Sequence, residues 1–232
     1  MRIDVLTLFP DMFPAVVSES MLKIAQDKGL VQLHLHNIRD YSTDKHRKVD
    51  DRPYGGGPGM VMRPDCVFAC VEAVEAMDPR PATRILLTPQ GRRFDQSDAD
   101  GLAQRERLLL ICGHYEGFDE RVISGLEPVE LSIGDYVLTG GELPAMVVID
   151  AVARLVPGVL GHPLSAEQDS FADGLLDCPQ YTRPVEFRSM RVPDVLLSGN
   201  HAEIARWRRE QAQRKTQKMR ADLVKPRPHE QP

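Results

Sequence analysis

Short apolar runs alternate with amphipathic segments between residues 1 and 155 of the chain. Runs with the length and polarity of strands lie at Ile3–Phe9, Val31–Ile38, Arg84–Thr88 and Leu108–Cys112. Segments with helical spacing lie at Phe13–Gln26, Pro64–Met77 and Glu142–Val156. Because strands and helices alternate, the pattern predicts an α/β fold with a mostly parallel sheet and helices on both faces.

The pattern changes after this region. Proline and glycine interrupt the stretch from Pro157 to Pro184, where no periodicity survives. A connection of this length is typical of a linker or a functional lid. Helical spacing returns at Pro193–Ser198 and at Ala202–Leu223. The sequence therefore predicts an N-terminal α/β domain at residues 1–160, a flexible linker or lid at 161–180, and a small all-helical C-terminal domain at 181–232.

Composition is that of a globular protein, since 42% of the 232 residues are hydrophobic and 27% are charged. The longest apolar stretch, around Leu108–Cys112, is far shorter than the roughly 20 residues that span a bilayer. The N-terminal residues lack the apolar core of a signal peptide. We therefore expect a cytoplasmic protein with no membrane part. Its cysteines are too scattered for a disulfide framework and are expected to be reduced and buried: Cys66, Cys70, Cys112 and Cys178.

The charge is distributed unevenly. From His201 to Pro232 there are nine Lys or Arg against four Asp or Glu, although the whole chain has a formal net charge of -5. An acidic body with a basic C-terminal arm is typical of a protein that meets a polyanion through one end. A solvated helix with mixed charges explains the same composition, so charge alone leaves both interpretations open.

Three segments place glycines where an apolar run stops. They are Thr88–Gly91, Gly113–Gly117 and Ile133–Gly141. In an open α/β sheet, ligands bind beyond the carboxyl ends of the strands, where such loops converge. One glycine turn is ordinary, but three in succession, with acidic and tyrosine side chains among them, favour a small-molecule pocket.

Missing motifs narrow the choice of ligand. No GxxxxGK[ST] segment is present, so a phosphate-cradling P-loop is excluded. Tyr54–Gly59 is glycine-rich but neither follows an apolar strand nor opens a helix, as a dinucleotide fingerprint requires. The pattern favours a nucleoside with a cationic or neutral tail. S-adenosylmethionine has this character, although these residues alone do not select it.

The chain also contains longer motifs with a distinctive order: Tyr54–Met60, Gly113–Arg121, Ser132–Glu142, Gly161–Ser165 and Asp169–Phe171. Through these motifs the sequence resembles the bacterial tRNA (guanine-N1)-methyltransferases, and the resemblance runs from Arg2 to about Arg220. Thr88 stands where many relatives have Ser, a change that keeps the hydroxyl.

The resemblance implies a SPOUT-class fold with a deep trefoil knot, in a homodimer whose active sites are shared between protomers. It implies S-adenosylmethionine as methyl donor, bent inside the knotted loops, with backbone groups around Leu87, Ile133, Tyr136 and Leu138 holding the adenine. The implied cofactor-binding residues are Leu86, Leu87, Thr88, Pro89, Gly113, Tyr115, Glu116, Gly117, Ile133, Gly134, Asp135, Tyr136, Val137, Leu138, Gly140, Gly141 and Pro144.

For catalysis, the resemblance implies Asp169 as the general base and Arg154 as the cation that stabilises charge on the guanine O6. The RNA partner is the tRNA anticodon stem-loop rather than DNA, and the implied product is guanine methylated at N1 immediately 3′ of the anticodon. A dependence on Mg²⁺ is also implied, although no ligand cluster identifies a metal site. The implied RNA-binding residues are His46, Arg47, Gly55, Gly59, Ser165, Asp177, Arg183, Arg208, Arg209 and Arg214.

Two alternatives remain at this point. A SPOUT-class enzyme that methylates another nucleotide, such as a ribose hydroxyl, would not need a carboxylate aimed at a ring nitrogen. A non-catalytic RNA-binding protein would have no reason to keep a cofactor pocket. A metabolite-binding α/β protein is disfavoured by the basic C-terminal arm.

Overall fold

The computed structural model describes residues 1–161 and 169–224, and the chain divides into two compact units, Met1–Gly161 and His162–Pro232. The first unit is built on a five-stranded sheet in the order β2-β1-β6-β5-β7, in which every pair of neighbours is parallel. A separate two-stranded sheet pairs β3 with β4. The strands of this unit are β1 (Arg2–Thr7), β2 (Gln32–Asn37), β3 (Asp50–Asp51), β4 (Val61–Met62), β5 (Thr83–Arg93), β6 (Arg107–Cys112) and β7 (Val129–Ser132).

Helices cover both faces of the large sheet. Successive residues of a strand point to opposite faces, so Ile85 and Leu87 join one core cluster while Leu86 joins the other. The first cluster packs under α1, α2, α4 and α6, and the second under α3 and α5. The predicted α/β class with a mostly parallel sheet is confirmed; the knot stays a prediction. The helices are α1 (Pro14–Val17), α2 (Ser20–Asp27), α3 (Pro64–Ala76), α4 (Gln96–Ala103), α5 (Glu120–Leu126) and α6 (Glu142–Ala153), with 3₁₀ turns at Pro10–Met12 and Ile38–Tyr41.

Two local predictions differ from the structure. The helix expected over Phe13–Gln26 is broken between α1 and α2, because Ser20 has a positive φ of 50° and redirects the chain. The helices α4 and α5 were not predicted. Each is about two turns long and begins at an aspartate whose side chain accepts backbone N–H groups, Asp95 for α4 and Asp119 for α5.

The second unit is mainly helical but contains a short antiparallel hairpin. The expectation of an all-helical C-terminal domain is wrong in this respect, because the hairpin turns through Arg188 and Ser189 at positive φ without a glycine to signal it. Its elements are β8 (Glu186–Phe187), β9 (Met190–Arg191), α7 (Asp194–Leu197), α8 (His201–Met219) and a 3₁₀ turn at Ala221–Val224.

Candidate functional site

A cavity of about 290 Å³ lies at the carboxyl edge of the large sheet. Its walls come from the chain around Leu86–Gln90, the loop after β6, and the segment between β7 and α6. These are the three glycine-containing segments on which the sequence prediction of a small-molecule pocket was based. Every residue of the implied cofactor-binding set lines this cavity except Asp135. The side chain of Asp135 is 92% exposed, with its carboxylate 4.0 Å from the guanidinium of Arg93.

Glycines allow the three segments to approach so closely. The N–H of Gly141 donates to the carbonyl of Gly113 at 2.8 Å, and a Cβ at Gly141 would lie 2.8 Å from the Cα of Cys112. Any side chain at position 141 would therefore separate the two loops. Likewise, a Cβ at Gly91 would lie 2.5 Å from the carbonyl carbon of Glu130. Backbone packs directly on backbone at both positions.

The strand β5 contributes to the cavity through an irregularity in its pairing. Leu87 and Arg92 both stand opposite Leu131 of β7, so the residues between them bulge out of the ladder. The bulge contains Thr88, Pro89 and Gln90, all of which line the cavity. A strand predicted to stop at Thr88 therefore continues to Arg93 and carries a wall of the cavity within it.

The charge of the cavity wall is negative. Of the described residues that line it, Glu116, Glu120 and Glu130 are acidic, and none is Lys or Arg. Anionic groups such as phosphates would find no cationic side chain on this wall, whereas a cationic ligand would be attracted. The wall also offers hydroxyl groups and the backbone of several glycines, which suit the polar atoms of a nucleoside.

Glu116 is held against the glycine-rich loop that precedes β4. Its backbone N–H donates to the carbonyl of Met60 at 3.0 Å. A Cβ at Gly59, where φ is 80°, would overlap the Glu116 carboxylate. The segment Tyr54–Met60 therefore packs beside the cavity as support for Glu116.

Some residues around the cavity were not assigned from the sequence. His114 and Phe118 line it, and a Cβ at Gly113 would lie 2.7 Å from Cε2 of Phe118. Glu142, the first residue of α6, is buried and accepts a hydrogen bond from the hydroxyl of Thr7 at 2.7 Å. His114 stands within a quoted motif, but nothing in its spacing distinguishes it from the neighbouring turn residues.

The two implied catalytic residues belong to different units. Arg154 is the C-terminal cap of α6 in the first unit, where its N–H donates to the carbonyl of Asp150 at 3.3 Å. Asp169 belongs to the second unit, where its carbonyl accepts from the N–H of Ala172 at 3.3 Å. Their roles stay predictions.

In the first unit, the implied RNA-binding residues lie in loops. His46 and Arg47 are exposed, and Arg47 forms an ion pair with Asp40. Gly55 and Gly59 both have positive φ, of 84° and 80°.

In the second unit, the implied arginines are solvent-exposed: Arg183, Arg208, Arg209 and Arg214. Asp177 accepts a hydrogen bond from the Gln180 amide at 3.0 Å. The half-buried Trp207 has its ring centroid 6.3 Å from that of Tyr181, which favours a role in anchoring α8. Ser165 lies outside the described residues.

The described part of the chain contains neither a metal-binding cluster nor a membrane-spanning helix. Within residues 1–161 and 169–224, no group of three or more His, Cys, Asp or Glu side chains is arranged to hold a metal ion. No helix in the same residues is long and apolar enough to cross a membrane.

A parallel sheet with helices on both faces and a glycine-lined cavity at its carboxyl edge defines an α/β protein built to bind a small molecule. The sequence model of the family described as tRNA (Guanine-1)-methyltransferase TrmD matches residues 1–226, and the chain belongs to this family. The family resemblance and the enzyme class predicted from the sequence are thereby confirmed.

Curated relatives agree over nearly the full length. A tRNA (guanine-N(1)-)-methyltransferase from Dehalococcoides mccartyi is 61% identical over 224 residues, 97% of this chain and 90% of the relative. The protein of the same name from Geobacter sulfurreducens is 61% identical over 97% of this chain and 91% of its own. That from Geobacillus kaustophilus is 57% identical, again over 97% and 91%.

Proposed function

We propose that this protein transfers the methyl group of S-adenosylmethionine to N1 of the guanine immediately 3′ of the anticodon in tRNA. The observation that carries the choice of donor is the cavity wall, with three glutamates and no Lys or Arg among its described residues. S-adenosylmethionine carries a sulfonium, an ammonium and a carboxylate group, so its net charge is positive, and it has no phosphate. A nucleoside triphosphate or dinucleotide would place several negative charges against the same carboxylates.

The residues present fit this donor in other respects. More than half of the lining residues are apolar or glycine, which accommodates an adenine ring and allows the backbone to supply its hydrogen bonds. The carboxylate of Glu116, held on Gly59, is a candidate to face the sulfonium or the guanine edge. S-adenosylmethionine supplies an electrophilic methyl group, and the remaining chemistry falls to the protein.

That chemistry begins with the N1 proton of guanine. If the pKa of this proton lies about two units above neutral, its removal costs roughly 2.7 kcal/mol at neutral pH, and a positioned base offsets this cost. We assign that role to Asp169. Negative charge then spreads onto O6, and a nearby cation stabilises it. We assign that role to Arg154.

We propose that exposed cationic side chains bind the phosphate backbone of the RNA. The target base must be unstacked before its Watson–Crick edge is accessible, so the enzyme must also hold the backbone of the stem-loop. His46 and Arg47 in the first unit and the exposed arginines of α8 in the second suit this task. Affinity for tRNA is then expected to fall steeply with salt.

A second copy of this chain is proposed to complete the active site. The outer face of α6 exposes Leu143 and Val147, one turn apart and 52% and 46% exposed, while Met12 and Val16 are also exposed near the start of the chain. Apolar side chains repeated along one exposed helix face are typical of an interface. A homodimer with shared active sites accounts for these side chains.

We also propose a location, a metal dependence and a chain topology for this enzyme. Because its substrate is tRNA, we expect it to act in the cytoplasm. The Mg²⁺ dependence is expected to involve RNA phosphates, since Mg²⁺ commonly combines one or two carboxylates with phosphate ligands. The trefoil knot of the SPOUT class is expected in the first unit.

The test is to incubate unmodified tRNA with the protein and labelled S-adenosylmethionine, and to map the modified base. We expect 1-methylguanine immediately 3′ of the anticodon. A label on a ribose hydroxyl or at another position would contradict the proposal, and a protein that binds tRNA without transferring label would be the non-catalytic alternative.

Asp169 can be tested separately. Asp169→Asn is expected to lower turnover by roughly 10²- to 10⁴-fold, the contribution of a positioned general base, while the Kd for S-adenosylmethionine stays unchanged. The matched control is Asp173→Asn, which changes a nearby exposed carboxylate that accepts the N–H of Leu175 at 3.2 Å. Turnover by Asp169→Asn comparable to that of the control would remove Asp169 from the mechanism.

A further inference from the structure

A polar cluster, formed by the buried Thr7 and Glu142 and the half-buried His114, lies at the carboxyl edge of the sheet. The hydroxyl of Thr7 donates to Oε1 of Glu142 at 2.7 Å and accepts the N–H of Phe9 at 2.9 Å. Thr7 and Glu142 are both buried. Thr7 does not line the cavity, so it lies behind the wall rather than in it.

His114 is the residue of this cluster that lines the cavity. Its ring centroid lies 4.8 Å from that of Phe9 and 4.8 Å from that of Tyr115, so packing fixes the ring on two sides. Its Nδ1 is buried and has no hydrogen-bond partner among the described residues. A Cβ at Gly140 would lie 2.9 Å from this Nδ1 and would overlap Oε2 of Glu142. The histidine nitrogen and the second glutamate oxygen therefore pack against the same glycine.

The carboxylate of Glu142 is buried and hydrogen-bonded. A buried carboxylate is costly unless it is hydrogen-bonded or near positive charge. Glu142 receives the Thr7 hydroxyl and is the first residue of α6, where the helix dipole favours a negative charge. Burial raises the pKa of the Cys112 thiol well above its ordinary value and the charge of Glu142 raises it further, so this neighbour stays neutral.

The cluster sits where two walls of the cavity join. His114 belongs to the loop after β6, and Glu142 directly follows the segment between β7 and α6. The same two segments are joined by the hydrogen bond from Gly141 to Gly113 and by a β-bridge between His114 and Gly140. Thr7, at the end of β1, donates the hydrogen bond that holds Glu142 next to this junction.

We propose that Thr7 and Glu142 are positioning residues for the methyl donor: through His114 and Gly140, they fix the spacing of the two loops between which the donor binds. The inference rests on the proposed function, because it takes S-adenosylmethionine as the ligand of the cavity. It adds two residues outside the implied cofactor-binding set.

The test compares Thr7→Val with Thr7→Ser by isothermal titration with S-adenosylmethionine. Valine keeps the volume of threonine but removes the hydroxyl that holds Glu142, so the Kd is expected to rise about tenfold, as for a lost hydrogen bond to a charged group. Serine keeps the hydroxyl and is expected to bind within about twofold of the wild type. Thr83→Val, at the opposite edge of the sheet, controls for loss of a threonine hydroxyl in this sheet.

Glu142→Gln keeps an acceptor for Thr7 but removes the charge, and it provides a second variant should Thr7→Val fail to fold. Its Kd and its KM for S-adenosylmethionine are both expected to rise. Thermal unfolding of each variant separates weakened binding from loss of fold. If Thr7→Val and Glu142→Gln bind S-adenosylmethionine as tightly as the wild type, the inference is overturned while the proposed function stands. If the wild type itself does not bind S-adenosylmethionine, the proposed function is overturned.

Discussion

The buried carboxylates at the two ends of the large sheet, Asp4 and Glu142, differ in their surroundings. Near the amino edge, the buried carboxylate of Asp4 is surrounded by partners: Arg2 at 2.8 Å, His36 at 2.9 Å and Arg107 at 3.0 Å. At the carboxyl edge, the buried carboxylate of Glu142 accepts a hydrogen bond from the hydroxyl of Thr7. Asp4 is surrounded by hydrogen-bond donors, whereas Glu142 lies near Nδ1 of His114, which has no hydrogen-bond partner among the described residues.

Arg107 shows how complete the saturation is. It is only 1% exposed, yet every nitrogen of its guanidinium donates to a partner. Beyond Asp4, it caps the end of α3 and the turn after it through the carbonyls of Val74, Glu75, Asp78 and Arg80. Such a network stabilises the fold and leaves nothing for a ligand. The comparison indicates that a buried polar group with all its hydrogen bonds made serves stability, whereas a buried polar atom without a partner beside a cavity points to ligand binding.

The largest expected effect is at the amino edge. Arg107→Met would leave Asp4 short of a partner and several carbonyls without a donor, so we expect the free energy of unfolding to fall by about 3–5 kcal/mol. Chemical denaturation measures this. The matched control is Arg121→Met, which removes an exposed ion pair to Asp119 and is expected to change the free energy of unfolding far less. Equal losses in both variants would break the comparison.

A smaller effect is expected from Asp4 and depends on pH. Burial opposes ionisation of Asp4, but hydrogen bonds from His36, Arg2 and Arg107 outweigh it and hold the pKa well below its ordinary value of 3.8. Because the folded pKa is depressed, the stabilisation is present above pH 4 and is lost as pH falls toward the folded value. We expect Asp4→Asn to be less stable than the wild type at pH 7, with the difference shrinking below pH 4. A difference that stays constant between pH 7 and pH 3 would contradict this reasoning.

The smallest expected effect on stability is at the cavity. Glu116→Gln removes a carboxylate that faces the cavity, so the Kd for S-adenosylmethionine is expected to rise about tenfold, which corresponds to roughly 1.4 kcal/mol. The melting temperature should stay within about two degrees of the wild type, since no described core contact is lost. Titration calorimetry and thermal unfolding measure the two effects. Loss of stability without loss of binding would make Glu116 a plain turn residue.

The sequence predicted the fold class because the buried strands are nearly continuous apolar runs. Leu108–Cys112 is buried at every position, as its composition indicated. The continuation of β5 to Arg93 was not predictable, since it depends on Leu87 and Arg92 sharing one partner on a distant strand. The hairpin at Glu186–Arg191 was missed for a similar reason, because pairing across a non-glycine turn leaves little local signal.

The sequence predicted the three loops of the candidate site but not the long-range contacts that join them. Motifs identified Gly113–Gly117 and Ile133–Gly141, and the structure brings most of their residues around one cavity. The contact between Thr7 and Glu142 joins residues 135 positions apart, which no local spacing indicates. Asp135 shows the converse: it stands inside a motif, yet its side chain points to solvent.

The lack of Lys and Arg on the described cavity wall also bears on the design of inhibitors. Compounds that mimic phosphate would place several negative charges beside three glutamates and are expected to bind poorly. A flat heteroaromatic ring joined to a protonated amine would place its positive charge among them. A screening library for this enzyme is therefore best weighted toward basic amines.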